Sequence, residues 1–538
     1  MSKENFFFKI RGELFVFALT FIFFLPFHFS SNNLVGYDSY MYIKLAEMVK
    51  DGGLIKEFPW INATIMKDNF TGLHFAYYIL LIPFTFFGNL IFGAKLASLF
   101  FFSFLTAIFY RVLKYLKLKK AFLWQLFFLS SSSYFILRMN FTRPISFSVI
   151  LLLVLFYALF KRNGLLVFIT SFFYVWSHGS FPLVLFFALT FAVIDSLHRK
   201  KIMSKNFICS LFGLLLGILI NPFFPSNVYV YFLTYFSLSV PYFFTAKISE
   251  LRPMNSLQIF NDASVLFVLF LLLALFFVVK KILTLLINKK ELNKTEDAER
   301  IFIIDFLLAI SLSFFMLMFF IGRFVDYWVP FAVLFVAFSA EFLYHDKKNI
   351  FWRKIKKINS HKFSREKIKF VFISFFVIYS CISIYNKAFV VARSAKENTS
   401  ENIKEMSLWL KNNTPERSIV FNTYTGDFPK FFFYNTHNYY VLGIDERFMY
   451  IISPEKYWLY THIREGVVCN KKRCDLDNTK NSKSLIYDTL KKEFNAEYVL
   501  IQTGYSSYDS SELIGVLNSD PRFEKVYENE GGGVWEVK

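Results

Sequence analysis

Five ionisable side chains adjoin long apolar runs, and they are the residues of this sequence whose chemistry most needs a reason. They are Asp38 in VGYDSYMYIK, Arg138 and Arg143 in LRMNFTRP, Glu250 in AKISELRPM, and Arg323 in IGRFVDYWVP. Charged groups at membrane depth are costly and are usually paired or functional. Each one alone could be a snorkelling side chain or part of a structural ion pair. Their recurrence predicts one polar cavity that contains carboxylates and arginines.

This combination of residue types suits group transfer from a phosphate. Arginine holds phosphate through planar, bidentate and permanently charged contacts. A nearby carboxylate can bind a divalent metal or accept a proton from an attacking group. We therefore expect group transfer from a lipid-linked phosphate, because an ion or proton transporter would place its charges nearer the midplane of the membrane.

The elements that must position these residues are membrane helices. The chain has 538 residues, of which 55% are hydrophobic and 21% aromatic, which is more than one soluble core can bury. The N-terminal apolar run is too long for a signal peptide and lacks a small-residue cleavage site, so we expect a retained first helix. Apolar runs of roughly 20 residues predict about eleven spans. They lie near 12–30, 90–112, 121–137, 145–160, 165–181, 183–197, 206–222, 263–282, 301–320, 328–344 and 368–388.

The distribution of charge orients these spans. Lys and Arg cluster between the apolar runs, as in DKKNIFWRKIKK (346–357), and such clusters stay on the cytoplasmic side. The net charge of +20 therefore indicates topology, and no nucleic-acid partner is expected. The N-terminus is predicted to be cytoplasmic and the C-terminus extracytoplasmic. Residues 73–87, which are broken by Pro83, are expected to lie along the outer interface, and a full crossing is the alternative. The Phe, Lys and Asn usage suggests an AT-rich genome and therefore a prokaryote, in whose plasma membrane the protein is expected.

The last part of the chain has a different composition and predicts a soluble domain. ENIKEMSLWLKNN has the pattern of an amphipathic helix that ends at Thr414-Pro415, and SIVFN and AEYVLIQ have that of buried strands. SSELIGVLNSDPRFEKVYEN predicts a helix, a turn and a strand. We expect a polytopic α-helical membrane domain over 1–389, with external loops 31–89 and 223–262. An extracytoplasmic α/β domain would follow over 390–538.

Two cysteines lie in this last part of the chain, in VVCNKKRCDL. Cys469 and Cys474 could form a small disulfide loop if the domain faces an oxidising compartment. The other two cysteines lie in apolar runs and are expected to be packing residues.

Several segments resemble one enzyme family. GYDSYMYIKLAEMV resembles the first external loop of the GT-C glycosyltransferases, and is most similar to the D-x-Y-Y-H-L-R-L-A pattern of oligosaccharyltransferase catalytic subunits. HFAYYILLIPF resembles the segment that follows that loop. KISELRPM resembles their TIxE motif, with Glu250 at the glutamate. GRFVDYWVPFAVL resembles the segment whose arginine contacts the donor phosphate, which gives that role to Arg323.

The sequence also departs from that family. Where those subunits carry a second external D-x-D or D-x-E metal motif, this chain has RMNFTRPISFS, with no carboxylate between Arg138 and Ser148. Where they carry the acceptor-recognition motif WWDYG, it has PERSIVFNTYTGDFPKFFFYN, with neither tryptophan and with Asp427 displaced. The stretch 428–450 is similar to uncharacterised bacterial GT-C proteins. The resemblance and these departures imply that the membrane machinery is kept and that acceptor recognition is replaced. They also imply that a metal site, if present, has lost ligands relative to the family.

The resemblance implies roles for individual residues. Asp38 is expected to be the essential carboxylate, as a metal ligand or a general base, although it could also cap the helix that follows. Glu250 is expected to be a second metal ligand or to orient the acceptor, and the alternative is an exposed loop charge. A divalent cation (Mg²⁺ or Mn²⁺) would be held by these two residues. Arg323 is expected to neutralise the donor phosphate, unless it pairs with Asp326.

The remaining candidates carry weaker signals. Arg143 and Arg138 are candidate partners of the donor phosphate, and His178 in WSHGSFP is a minor candidate. Asp427, His437 and Asp445 are candidates for the acceptor side and could equally be ordinary loop residues.

The function expected from the sequence is transfer of a sugar from a polyprenyl phosphate or pyrophosphate to an extracytoplasmic lipid, polysaccharide or protein, with inversion or retention left open. The sequence has no Gly-rich phosphate loop that would indicate a nucleotide donor. An oligosaccharyltransferase proper is one alternative, and a transporter or flippase of lipid-linked sugars is another. A transporter predicts internal repeats with broken helices in matching halves, and the sequence shows no such repeat.

Overall fold

A computed structural model describes residues 3–199, 205–238, 249–286, 295–345, 362–474, 483–503 and 510–538. The chain forms two compact units. The first, which we call the helical unit, comprises the described parts of Met1–Ser30, Ala97–Ile220 and Phe244–Ser394. The second, the sheet unit, comprises the described parts of Ser31–Leu96, Asn221–Phe243 and Ala395–Lys538.

Helices dominate the first 400 residues of the chain. In chain order they are α1 Lys3–His28, α2 Asp38–Gly52, α3 Phe75–Leu81, α4 Leu90–Tyr115, α5 Ala121–Ser130, α6 Ser133–Met139, α7 Ile145–Phe160, α8 Gly164–Ser177, α9 Pro182–Arg199, α10 Lys205–Leu219, α11 Ser226–Leu238, α12 Ser256–Leu286, α13 Thr295–Met318, α14 Val325–His345 and α15 Lys362–Glu397. A 3₁₀ turn over Ile82–Phe87 follows α3 directly, and another over Gly322–Phe324 precedes α14.

Seven of the described helical segments are long and apolar enough to cross a membrane. They are Arg11–His28, Leu90–Tyr115, Pro182–Arg199, Ser256–Leu283, Ala298–Met318, Gly322–Tyr344 and Phe370–Asn413. The predicted count of about eleven spans is therefore not confirmed. The other four predicted spans correspond to α5, α7, α8 and α10, which have only 10 to 16 residues, whereas a span needs about 20.

The span predicted over 121–137 is broken by a run of serines. Helix α5 ends at Ser130, and α6 begins at Ser133. The hydroxyl of Ser132 accepts a hydrogen bond from the backbone N–H of Phe135 at 3.0 Å and so caps α6. Serine competes for backbone hydrogen bonds and favours such caps over helix interiors. The apolar run therefore becomes two short helices.

Phenylalanine rings in tilted and edge-to-face contact contribute to the core of the helical unit. Phe156 and Phe187 both pack against Phe306 and Phe331, which brings α7, α9, α13 and α14 together. Ring centroids in this group lie 4.9 to 6.3 Å apart, and aromatic pairs at such distances add to the free energy of burial.

The last part of the chain forms five strands and six α-helices among its described residues. The strands are β1 Ile419–Asn422, β2 Tyr439–Tyr440, β3 Tyr498–Gln502, β4 Phe523–Asn529 and β5 Gly532–Val537. The helices are α16 Glu401–Asn413, α17 Phe428–Tyr434, α18 Arg447–Ile452, α19 Pro454–Ile463, α20 Ile486–Phe494 and α21 Ser511–Ser519, of which α16 precedes β1. The strand order is β2-β1-β3-β5-β4, in which β1 is parallel to β2 and β3, and β5 is antiparallel to β3 and β4.

Several predictions for this region are confirmed. Helix α16 buries Ile403, Met406 and Leu410 on one face, and it ends before Thr414-Pro415. The strands predicted from SIVFN and AEYVLIQ are β1 and β3, and α21 and β4 follow as the pattern predicted. Cys469 and Cys474 form a disulfide. Strands β2 and β5 were not predicted.

The segment after α2 extends the edge of the sheet. Ile61 forms a parallel bridge with Tyr440. The N–H of Asn62 donates to the carbonyl of Tyr440 at 2.8 Å, and the N–H of Ala63 donates to that of Val441 at 3.1 Å. The loop that the sequence analysis assigned to the membrane domain is therefore part of the sheet unit.

Candidate functional site

Helix α6 carries Arg138 into a buried ion-pair cluster of the helical unit. The Arg138 side chain is only 3% exposed. Its Nε donates to both carboxylate oxygens of Asp326, at 2.8 and 2.9 Å, and its Nη1 lies 2.9 Å from Oε1 of Glu250. The guanidinium also lies 5.4 Å from the ring centroid of Tyr134, one turn earlier in α6. The Arg138 guanidinium is thus fixed by Asp326, Glu250 and Tyr134.

Glu250 is the common partner of three arginines. Nη1 of Arg143 lies 2.6 Å from Oε1 of Glu250, and Nη2 of Arg323 donates to Oε2. Burial alone would raise the pKa of Glu250, but Arg143, Arg323 and Arg138 together hold that pKa well below its usual value. Glu250 is therefore ionised across the physiological range of pH.

Two backbone hydrogen bonds fix the loop that carries Glu250. The N–H of Met254 donates to the carbonyl of Met318 at 3.0 Å, and the N–H of Gly322 donates to the carbonyl of Arg252 at 3.0 Å. A Cβ at position 322 would lie 2.6 Å from that same carbonyl oxygen. Only glycine allows this approach, so Gly322 brings the loop next to Arg323.

The cluster has an excess of positive charge and one accessible arginine. Three guanidinium groups and two carboxylates leave one net positive charge. The Arg323 side chain is 37% exposed, against 14% for Arg143. Nε of Arg323 is buried and has no hydrogen-bond acceptor among the described residues. An anion entering from the exposed side therefore meets Arg323 first, and a phosphate matches the planar geometry of its donors.

The alternative expected for Arg323 was an ion pair with Asp326, but in the structure the two residues have different ion-pair partners. Arg323 contacts Glu250, whereas Asp326 is fully buried against Arg138. The alternative for Glu250, an exposed loop charge, is also wrong, because its side chain is 20% exposed and bound by arginines. The structure thus brings together Arg138, Arg143, Glu250 and Arg323.

Glu250 does not fit the predicted role of metal ligand in this arrangement. Both of its carboxylate oxygens accept hydrogen bonds from guanidinium groups, and three adjacent positive charges oppose a divalent cation. Of the two residues predicted to bind Mg²⁺ or Mn²⁺, only Asp38 remains a predicted metal ligand.

A hydroxyl network adjoins the cluster and includes residues that the sequence analysis missed. The Ser180 hydroxyl lies 2.6 Å from Nδ1 of His178 and 2.9 Å from the hydroxyl of Tyr327, which follows Asp326 in the chain. Tyr174 also reaches Ser180, at 3.3 Å. His178 therefore lies in a hydrogen-bonded network within the helical unit.

Asp38 belongs to the sheet unit, where it is half-buried at the first position of α2. The residue before the helix is Tyr37, whose side chain makes no capping hydrogen bond. Asp38 is thus not the N-cap residue, although a carboxylate in the first helical turn still interacts favourably with the helix dipole. Its expected role as the essential carboxylate stays a prediction.

Helix α17 holds the start of α2 through aromatic contacts. The ring of Tyr40 packs edge-on against Phe433, with centroids 5.3 Å apart. The Lys430 ammonium lies 4.4 Å from the ring centroid of Tyr37 and donates to the carbonyl of Thr399 at 2.7 Å. These contacts fix the turn that presents Asp38.

Lys430 is a buried cation that sequence reasoning missed. It is 1% exposed and lies 3.9 Å from Oδ1 of Asp427. Burial lowers the pKa of Lys430 to about 8, even though Asp427 acts in the opposite direction. The sequence FPKFFFYN contains the signal, which is a single lysine within an apolar helix.

The three candidates for the acceptor side each have a nearby partner within the sheet unit. Asp427 is fully buried beside Lys430. Nε2 of His437 lies 2.9 Å from the carbonyl oxygen of Thr414. Asp445 accepts from Nε of Arg447 at 2.9 Å. Their role in acceptor binding stays a prediction.

Comparison with known proteins gives structural matches only. No protein-family model matches the chain, and no curated protein matches it by sequence. The archaeal oligosaccharyltransferase AglB from Archaeoglobus fulgidus, solved with an inhibitory peptide and a dolichol-phosphate, matches with a TM-score of 0.60 at 11% identity, over 99% of this chain and 75% of that one. The apo form of the A. fulgidus oligosaccharyltransferase matches with a TM-score of 0.58 at 12% identity, over 91% and 69%.

A second kind of enzyme matches over its whole length. ArnT from Cupriavidus metallidurans, solved with undecaprenyl phosphate bound, has a TM-score of 0.53 at 13% identity, over 98% of both chains. Both AglB and ArnT are GT-C glycosyltransferases. Together with the seven long apolar helices, these matches indicate an integral membrane protein. The chain has the fold of the GT-C glycosyltransferases, as the resemblance of its motifs predicted.

Proposed function

We propose that this protein is a membrane glycosyltransferase. It transfers a sugar from a polyprenyl phosphate or pyrophosphate to an extracytoplasmic acceptor, which is a lipid, a polysaccharide or a protein. The observation that carries this proposal is the convergence of Arg138, Arg143 and Arg323 on Glu250, with one net positive charge and one accessible guanidinium.

The arginine cluster suits the phosphate of the donor. The exposed Arg323 makes the first contact, and Arg143 is the next most accessible. Arg138 is too deeply buried for direct contact and supports the other two through Glu250. The matched ArnT structure holds undecaprenyl phosphate and the matched AglB structure holds a dolichol-phosphate, which supports a lipid phosphate as the ligand.

The proposed reaction breaks the bond between the sugar C1 and the phosphate oxygen and forms a bond from C1 to the acceptor. The carboxylate of Asp38 accepts the proton of the attacking hydroxyl or amide group. The electron pair of the broken bond stays on the leaving phosphate, whose negative charge Arg323 and Arg143 stabilise. These residues therefore supply charge that is already in place when the leaving phosphate forms.

A comparison of cellular glycans tests this proposal. Envelope lipids, polysaccharides and glycoproteins are analysed by mass spectrometry in cells that lack the protein, complemented with wild type, Asp38→Asn or Arg323→Gln. Asp51→Asn is the matched control, because Asp51 lies exposed near the end of the same helix as Asp38. We expect one glycan to be absent from cells that lack the protein. Complementation with wild type or Asp51→Asn should restore it, and complementation with Asp38→Asn or Arg323→Gln should not.

Other outcomes separate the alternatives. Full restoration by Asp38→Asn would remove Asp38 from the chemistry. A lost sugar on Asn-x-Ser/Thr sequons would favour an oligosaccharyltransferase proper. Accumulation of an unaltered lipid-linked sugar on the cytoplasmic side, with transfer intact after chemical supply of the sugar outside, would favour a flippase.

A further inference from the structure

One segment of the helical unit holds the short helix α6 at both ends. At the C-terminal end, Glu250 binds Arg138 at 2.9 Å. At the N-terminal end, Oδ1 of Asp262 accepts from the N–H of Tyr134 at 2.8 Å, and Oδ2 accepts from the hydroxyl of Ser132 at 2.5 Å. Glu250 and Asp262 are only twelve positions apart, so the position of α6 is set by a single stretch of chain.

Helix α6 needs such external support. It has 7 residues, and a helix this short is unstable by itself. Its first N–H groups have no partner within the helix. Ser132 caps the N–H of Phe135 and Asp262 binds that of Tyr134. The orientation of Arg138, in the last turn, therefore depends on how firmly the first turn is held.

Asp262 lies within an apolar helix that is long enough to cross a membrane, so its presence there needs an explanation. The backbone of α12 departs from helical geometry at the next residue, Ala263 (φ −137°, ψ 41°). This kink lies beside the carboxylate that faces α6. The N-terminal end of α6 supplies two hydrogen bonds to this carboxylate, from the Ser132 hydroxyl and the N–H of Tyr134.

A second polar contact joins the same end of α6 to another helix. Lys387 in α15 interacts electrostatically with Asp262, and its Nζ lies 3.0 Å from the hydroxyl of Ser383. That hydroxyl donates to the carbonyl of Ser130 at 3.2 Å, at the end of α5. The serine run between α5 and α6 is thus the meeting point of α12 and α15.

We propose that Asp262 is a positioning residue for the donor phosphate site, which rests on the function proposed above. It does not touch the donor. It fixes α6 so that Arg138 holds Glu250, which in turn orients Arg143 and Arg323 toward the phosphate.

The test measures binding of undecaprenyl phosphate, without a sugar, to the full-length protein in nanodiscs. We compare wild type, Asp262→Ala and the control Asp305→Ala. Asp305 is another aspartate on a helix of the helical unit, and its side chain pairs with Lys281 at 2.7 Å and His198 at 3.0 Å. We expect Asp262→Ala to weaken binding about tenfold or more, because small misplacements of binding groups have effects of that size. The control should stay within about twofold of wild type.

A second comparison separates positioning from general stability. In an Arg138→Lys background, which still has a positive charge but not the planar fork, Asp262→Ala should add little further loss. A tenfold loss that persists in this background would overturn the proposal, because Asp262 would then act independently of Arg138. Equal binding by wild type and Asp262→Ala would also overturn it.

Ser132→Ala decides the matter if Asp262→Ala does not fold. This milder change removes the hydroxyl bond to Asp262 and the cap on Phe135 but leaves the bond from the N–H of Tyr134. We then expect weakened binding with a full yield of folded protein, and unchanged binding would overturn the proposal. If the wild-type protein itself fails to bind the lipid phosphate, the proposed function fails and this inference fails with it. If wild type binds and Asp262→Ala binds equally well, only this inference fails.

Discussion

The buried Lys430 predicts an unusual dependence of stability on pH. Its pKa is about 8 in the folded protein, against an ordinary value of 10.5. Between these two values the unfolded chain binds more protons than the folded chain, so the free energy of unfolding rises with pH. A difference of this size corresponds to about 3 kcal/mol at 1.36 kcal/mol per pKa unit. This increase in the free energy of unfolding is absent below pH 8 and complete above pH 10.5.

The substitution Lys430→Met removes this titration and keeps most of the side-chain volume. We expect wild type to become more stable relative to Lys430→Met as the pH rises through this window. For the sheet unit, which has about 230 residues, a difference of about 3 kcal/mol corresponds to a relative Tm shift of about 6–12 °C. The assay is thermal unfolding of the full chain in detergent, followed by tryptophan fluorescence at a series of pH values.

Comparison with a second lysine controls for the loss of one positive charge. Lys411 lies exposed on α16 of the same unit, so Lys411→Met should follow the wild-type pH profile. Other groups that titrate above pH 8 are common to all three proteins and cancel in the differences. Parallel profiles of wild type and Lys430→Met would refute the reasoning, because they would mean that Lys430 is not deprotonated more readily in the folded state.

Three further predictions concern the arginine cluster. Arg138→Met leaves the buried Asp326 without its guanidinium partner and should destabilise the protein by about 3–5 kcal/mol. In thermal unfolding, the double variant Arg138→Met with Asp326→Leu should recover most of this loss of stability. A double variant that is no more stable than Arg138→Met alone would contradict the prediction. Arg323→Lys loses the planar fork, so titration with undecaprenyl phosphate should show about tenfold weaker binding at unchanged Tm, and equal affinity would exclude direct contact. Gly322→Ala places a Cβ 2.6 Å from the carbonyl oxygen of Arg252 and should weaken the same binding by displacing the Glu250 loop, which unaltered affinity would disprove.

Much of the fold could be predicted because periodicity and charge report local environments. The spacing of Ile403, Met406 and Leu410 gave α16, and the apolar runs SIVFN and AEYVLIQ gave β1 and β3. Strand β2 has only two residues, and β5 begins with glycines that carry no apolar pattern. Neither leaves a local signal, since each is defined by its pairing with distant residues.

Hydrophobicity also predicted more spans than the seven long apolar helices found among the described residues. A window of 20 residues does not separate one long helix from two short ones, and the serines that divide α5 from α6 act through side-chain caps. The same serines receive Asp262, which lies 130 positions later than Ser132. A contact of this range could not be found from one sequence.

The residues of the candidate site were easier to predict than their pairing. Charge beside apolar runs was enough to select Arg138, Arg143, Glu250 and Arg323. Their partners follow from tertiary packing: Arg323 binds Glu250, 73 positions away, rather than the neighbouring Asp326. Lys430 was missed because a lysine among phenylalanines in a short helix is usually exposed.

The parallel bridge between Ile61 and Tyr440 affects how a fragment that contains the sheet can be produced. The short strand β2 would be the edge of the sheet in a fragment that starts near residue 390, and an uncovered edge with free N–H and C=O groups promotes aggregation. In the ribosomal product the covering segment emerges about 380 residues before its partner, so the sheet completes only when synthesis is nearly finished. A fragment for crystallisation or ligand screening therefore has to include the segment around Ile61, joined by a linker to the C-terminal part.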